Sequence, residues 1–165
     1  PFTFKGTNTY LVGTAELAVI DPGPDDATHR AAILAAASGR PITHILVTHA
    51  HRDHSDGASP LARATGAPVV GFGRSGAPGR QDAAHMPSGK EFVDHAFAPD
   101  IALQDAHVIE NGDWSLEALH TPGHAPDHLC FALQGRRIVF SGDHVMAWNT
   151  TVIAPPEGRM ADYTV

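Results

Sequence analysis

The sequence predicts a fold of the α/β or α+β class, with helices lying outside packed sheets. Three observations predict it. Short apolar runs alternate with helical patterns early in the chain, and strand-like runs dominate later. The run Ile45-Leu46-Val47 is apolar on consecutive residues, which is how a strand covered on both faces reads. At 165 residues, with 42% hydrophobic and 18% charged residues, the chain is of single-domain size and can bury a substantial core.

Taken in order, Thr9–Val12 and Leu17–Ile20 read as a hairpin across "GTAE". "DPGPDD" breaks the chain, and Asp25 or Asp26 caps a helix over Ala27–Ser38, whose Ala27, Ala31, Leu34 and Ala35 form the expected buried face. Gly39 and Pro41 stop that helix. A strand over Thr43–Thr48, a short helix near Ala58–Thr65 and a strand in "APVVGF" follow. Residues 71–90 are rich in glycine and read as a long surface loop. Strands are then expected over Ala106–Glu110, Ser115–His120, His128–Leu133 and Arg137–Phe140, separated by "NGD", "TPGHAPD" and "QGR" turns.

Net charge is −7, which argues against broad nucleic-acid coating. It does not exclude a phosphodiester substrate, because bound cations would invert the charge of a site. No apolar run approaches the roughly 18 residues of a membrane span. The single cysteine, Cys130, rules out an internal disulfide framework and points to a reducing, cytoplasmic compartment. Any metal site must then be built from histidine and carboxylate.

"THAHRDHSDG" concentrates such residues directly after the apolar strand. On a helix, positions i and i+2 point about 200° apart. In extended chain they face the same way, so His49 and His51 converge on one metal. Asp53 and His54 are adjacent, diverge, and suit a second ion. Zinc prefers about four ligands, and two later stretches supply candidates. "TPGH" sets His124 in a tight turn, and "SGD" places Asp143 just past a strand, where its two oxygens can bridge two cations.

These motifs resemble the metallo-β-lactamase superfamily: "HAHRDH" matches its HxHxDH signature, "TPGH" its third motif and "SGD" its bridging aspartate, while "GTNTYLV" and "VIDPG" look like its opening hairpin. The likeness runs from about residue 6 to the end and is nearest to the glyoxalase II and β-lactamase-like endoribonuclease branch, since Asp143 stands where the commonest zinc β-lactamases carry cysteine. It implies an αββα sandwich in one domain over residues 1–165. It also implies two divalent ions, Zn2+ first among them, held by His49, His51, Asp53, His54, His124 and Asp143. They would share a hydroxide that attacks an ester, thioester, lactone or phosphodiester, with Asp53 handling its proton. A rival within the family is a mononuclear iron, persulfide dioxygenase-like oxidoreductase using His49, His124 and Asp143. Another is a non-catalytic metal-binding fragment.

One departure stands out. The family carries a further histidine downstream of the bridging aspartate, whereas here only His144 follows Asp143. The resemblance therefore implies an N-terminal portion of the full domain, an incomplete second sheet, a weak second metal site and an apolar face that favours a homo-oligomer. Blander readings attach to other residues. His44 and His120 are expected to pack within strands, His128 either lines the pocket or packs, and His144 is structural. His29, His85, His95 and His107 read as surface residues, Asp56 as a helix cap and Cys130 as core. Arg74, Arg80 and Lys90 read as solvated loop charges.

Overall fold

The computed structural model describes residues 6–73, 92–147 and 149–164. The strands are β1 (Tyr10–Val12), β2 (Leu17–Ile20), β3 (Ile42–Leu46), β4 (Val69–Gly71), β5 (Ile101–Ala102), β6 (Val108–Asn111), β7 (Trp114–His120), β8 (Leu129–Leu133) and β9 (Ile138–Phe140). The helices are α1 (Ala27–Ala37), α2 (Arg52–Ser55), α3 (Ala58–Thr65) and α4 (Met160–Tyr163). The first sheet runs β1-β2-β3-β4-β5, antiparallel at β1–β2 and parallel thereafter; the second runs β6-β7-β8-β9, antiparallel throughout.

Side-chain alternation divides the interior into two cores. Leu17, Val19, Ile45 and Val47 face outward from the first sheet onto Ile33 and Ala37 of α1 and Leu61 of α3. Ala18, Ile20, Leu46 and Val70 face inward against Trp114, Leu116, Ala118, Leu129 and Phe131 of the second sheet. Consecutive apolar residues in β2 and β3 thus serve two cores at once, as the unbroken run Ile45-Leu46-Val47 predicted. The expected α+β sandwich is present as helix, sheet and sheet. On the far side of the second sheet, Val108, Glu117, Ala132 and Val139 lie in register, with Val108 and Val139 about half exposed. No helix among the described residues is long and apolar enough to cross a membrane.

Most elements fall within a few residues of expectation; the differences have local causes. Asp26 caps α1 as expected, accepting from the backbone N–H groups of Thr28 and His29. The buried face of α1 is Ile33 and Ala37 instead, with Leu34 39% exposed. Alanine surrounds this helix, so no apolar stripe stands out, and the bulk of Ile33 sets the face. The turn α2 and the two-residue β5 were not expected. Asp56 caps nothing with its side chain and pairs with Arg52. His29 is not a free surface residue: its Nε2 meets the Thr9 hydroxyl at 2.8 Å, and its ring covers Gly23. His107 and His95 are exposed, as expected. Nearly all of the 71–90 loop, with Arg74, Arg80, His85 and Lys90, lies outside the described residues.

Candidate metal centre

The parallel strands β2, β3 and β4 deliver their C-terminal ends to one rim of the sandwich, where the chain leaves β3 through a bend at Thr48–Ala50 rather than continuing as the extended stretch the spacing suggested. Val47 N–H donates to Val70 O, and Thr48 O accepts from Leu129 N–H, so this short segment is tied to both sheets. His51 itself is extended (φ −71, ψ 138), and α2 begins at the next residue. His49 and His51 nevertheless turn to the same side, with their rings in contact, whereas Asp53 and His54 ride on the helical turn.

His49 Nε2 lies 2.9 Å from His51 Nδ1, which lies 3.0 Å from His124 Nε2. Ligand atoms of a tetrahedral zinc ion at 2.0–2.1 Å stand about 3.3–3.4 Å apart, so this spacing is close to that of a loaded site. A second group joins His49, His54 and Asp143. Asp143 reaches both groups: Oδ1 is 3.4 Å from His54 Nε2, and Oδ2 is 3.6 Å from His124 Nε2. Asp53 Oδ2 stands 3.4 Å from His54 Nε2 and accepts a hydrogen bond from the Thr7 hydroxyl at 2.7 Å.

Proton placement follows from the outward partners. Asp21 is 3% exposed and accepts from Thr48 N–H at 2.8 Å and from the Thr48 hydroxyl at 2.9 Å. Because that hydroxyl donates to Asp21, it accepts from His49 Nδ1–H at 3.0 Å, leaving His49 Nε2 a bare lone pair. Asp21 also receives His54 Nδ1–H at 2.8 Å, which leaves His54 Nε2 facing Asp53 and Asp143. His124 donates Nδ1–H to Val152 O, turning its Nε2 inward. One buried carboxylate thus orients two histidines, directly and through Thr48, as outer partners of metal-ligating histidines do.

The electrostatics agree. Burial, and then the neighbouring imidazoles, hold His49 well below the ordinary histidine range, and His124 is lowered for the same reasons. Burial opposes a charge on His54, yet Asp21, Asp143 and Asp53 outweigh it and raise its pKa to about 10. Burial also opposes ionisation of Asp143, but His54 and the other histidines bring it down to about 2. A proton on His54 Nε2 would relieve the two carboxylates that face it at 3.4 Å. That buried Nε2 has no hydrogen-bond partner among the described residues. A divalent cation is the alternative occupant, and the donor set fits one.

The turn carrying Asp143 is tightly held. Gly142 has φ +49, and a Cβ there would meet His128 Nε2 at 2.6 Å and Thr48 Cβ at 3.0 Å. His128 accepts from Asp143 N–H at 3.1 Å while its Nδ1 is bonded to the Thr121 hydroxyl, so it supports the aspartate rather than joining the ligands. His144 packs on Tyr163 and His128 and belongs to neither ligand group. His44 packs edge-on against Trp114, and His120 stacks on Phe72. Cys130 is buried beside the Thr121 hydroxyl. Sequence reasoning missed Asp21 and Asp127. Asp127 is 4% exposed, accepts from Ala50 N–H at 3.0 Å, and is pushed up to about 6 by burial.

Residues 2–164 match the family profile described as metallo-beta-lactamase superfamily. The chain belongs to this superfamily. Among curated superfamily relatives, an atrochrysone carboxyl ACP thioesterase of Cryptosporiopsis sp. is 31% identical over 156 residues, covering 92% of this chain and 42% of that protein. One of the same description from Aspergillus chevalieri is 33% identical over 159 residues, covering 92% and 44%. The chain thus spans less than half the length of these relatives. The solved ETHE1 from Myxococcus xanthus aligns at TM-score 0.68 and 25% identity, over 96% of this chain and 61% of that one. TTHA1623, in a di-iron-bound form, aligns at 0.66 and 26%, over 95% and 77%.

Proposed function

We propose that the chain forms a single metallo-β-lactamase-like domain acting as a binuclear, zinc-dependent hydrolase, with a thioester or related ester as substrate. One observation carries the reading: three ring nitrogens, His49 Nε2, His51 Nδ1 and His124 Nε2, are turned onto one point, with Asp143 reaching from there to His54. The thioesterase names of the relatives favour a thioester over a lactone or phosphodiester. The di-iron neighbour makes iron the alternative metal. The lone buried Cys130 suits a cytoplasmic setting, and the exposed row at Val108 and Val139 suits a homo-oligomer.

His49, His51 and His124 would hold the first ion and Asp53 with His54 the second, with Asp143 shared. Bound divalent ions supply a Lewis acid for the substrate oxygen and lower the pKa of water to about 7. The chain's own residues do the rest. Asp21 and Thr48 keep the N–H groups of His49 and His54 outward. Asp53 Oδ2, part-exposed and steadied by Thr7, accepts the nucleophile's proton. No serine or cysteine nucleophile is needed.

The test is to strip the chain with chelator, restore zinc or iron, and follow cleavage of an acyl thioester, an aryl ester and an aryl phosphodiester. Zinc-restored thioesterase activity that His49→Ala abolishes supports the proposal. Activity indifferent to metal overturns it, and binding of a single iron with oxygen consumption favours the oxidoreductase.

A further inference from the structure

His51 differs from the other two histidines of the first group. His49 and His124 are almost wholly buried and donate their outward N–H groups to Thr48 and Val152. The His51 side chain is 18% exposed, and its outward Nε2 faces a carboxylate, Glu157, whose Oε2 stands 3.9 Å away, within ion-pair reach though beyond a hydrogen bond. Glu157 is delivered there by a built turn. Gly158 N–H donates to Ala154 O at 2.8 Å, and a Cβ at Gly158 would fall 2.4 Å from Ala154 N, so only glycine closes this turn. Two anchors flank it: Val152 O receives His124 Nδ1–H, and Arg159 N–H donates to Gly123 O at 2.8 Å. The segment that orients His124 therefore also carries the carboxylate facing His51.

A second carboxylate acts on the same histidine from the backbone. Asp127 Oδ2 holds Ala50 N–H, the peptide between His49 and His51, while its buried Oδ1 has no partner among the described residues. On the other side, Asp94 N–H donates to Ala50 O at 2.7 Å.

We infer that Glu157 is a positioning residue for His51, drawing its Nε2–H outward so that Nδ1 faces the cation, while Asp127 fixes the backbone that carries the ring. The inference rests on the metal-centre reading above. Outer carboxylates of this kind orient ligating histidines, and their loss weakens metal binding about 10- to 100-fold.

The experiment uses the full chain. Zinc affinity is measured by chelator competition for the unaltered chain, Glu157→Ala, Glu157→Gln, Asp127→Asn and the distant surface control Glu117→Gln. The His51 tautomer is read by long-range 1H–15N spectra of the metal-free chain. The expected result is first-site affinity lowered about 10- to 100-fold in Glu157→Ala, with the thermal midpoint of the metal-free form unchanged. Glu157→Gln, which keeps an acceptor oxygen, should recover most of the affinity, and the control should match the unaltered chain. The His51 Nε2–H form should dominate in the unaltered chain and mix with the Nδ1–H form in Glu157→Ala. Unaltered affinity and tautomer in Glu157→Ala overturn the inference alone. Failure of the unaltered chain to bind zinc overturns the metal-centre reading itself, and this inference with it.

Discussion

Replacing Asp21 by Asn changes one charge in the interior and little else. Asp21 has φ +51, a conformation that Asn tolerates as Asp does, so the backbone should hold. Its oxygens accept three donors, from Thr48 N, Thr48 Oγ1 and His54 Nδ1. An amide has only one acceptor oxygen, so its NH2 must face a group that was donating. His54 then prefers its proton on Nε2, the atom that faces Asp143. In the metal-free chain His54 has its pKa raised from 6.5 to about 10. A group raised in this way stabilises the fold fully below the unfolded pKa, and the stabilisation is lost as pH rises toward the folded one. Stability of the metal-free chain should therefore fall as pH rises from 6.5 toward 10, by at most roughly 1 kcal/mol per pH unit for one proton. Asp21 is the largest of the favourable influences on His54. Asp21→Asn is expected to cost about 2–3 kcal/mol at pH 6, in the range of a charge-assisted buried hydrogen bond, and to flatten this slope. Urea unfolding in chelator at pH 6 through 9.5 measures both, and chelator competition should show zinc affinity lower by about 10- to 100-fold. A variant with the wild-type slope and wild-type zinc affinity would refute the role given to Asp21.

Other outcomes follow from the same geometry. His49→Ala should remove metal from the first site and abolish hydrolysis while the sheets keep the fold; unaltered metal content by emission spectroscopy would count against His49 as a ligand. Gly142→Ala combines a positive φ with contacts of 2.6 and 3.0 Å and should cost at least about 2 kcal/mol in urea unfolding; a variant as stable as the parent would contradict this. Zinc titration of the stripped chain should show one tight equivalent and a weaker second. In the proposed arrangement the first site would have His49, His51, His124 and a shared Asp143, whereas the second would have Asp53, His54 and the same aspartate. Two equivalents of equal, tight affinity would sink the difference.

The residues that the structure brings together at the candidate metal centre were legible because each leaves a local trace. His49 and His51 stand two apart just past the end of β3, and His124 and Asp143 each sit in a glycine turn past a strand. Asp21 was visible only as part of "VIDPG", with nothing to say what it does. It reaches Thr48 and His54 only because β2 pairs parallel to β3 with Ile20 beside Leu46, a register that no local pattern specifies. Asp127 and Glu157 were hidden likewise, since the bond of Asp127 to Ala50 N–H and the approach of Glu157 to His51 depend on the second sheet and on the turn at Gly158. The face of α1 was misread because alanine supplies no contrast between sides. Strand alternation in β2 and β3 could be read because each side chain commits to one of two cores.

The most direct test is anomalous diffraction at the zinc edge from crystals of the zinc-loaded chain. The account predicts a peak within about 2.0–2.1 Å of His49 Nε2, His51 Nδ1 and His124 Nε2, with Asp143 in reach of it. A peak on other residues, or no peak at this rim of the sandwich, would contradict it.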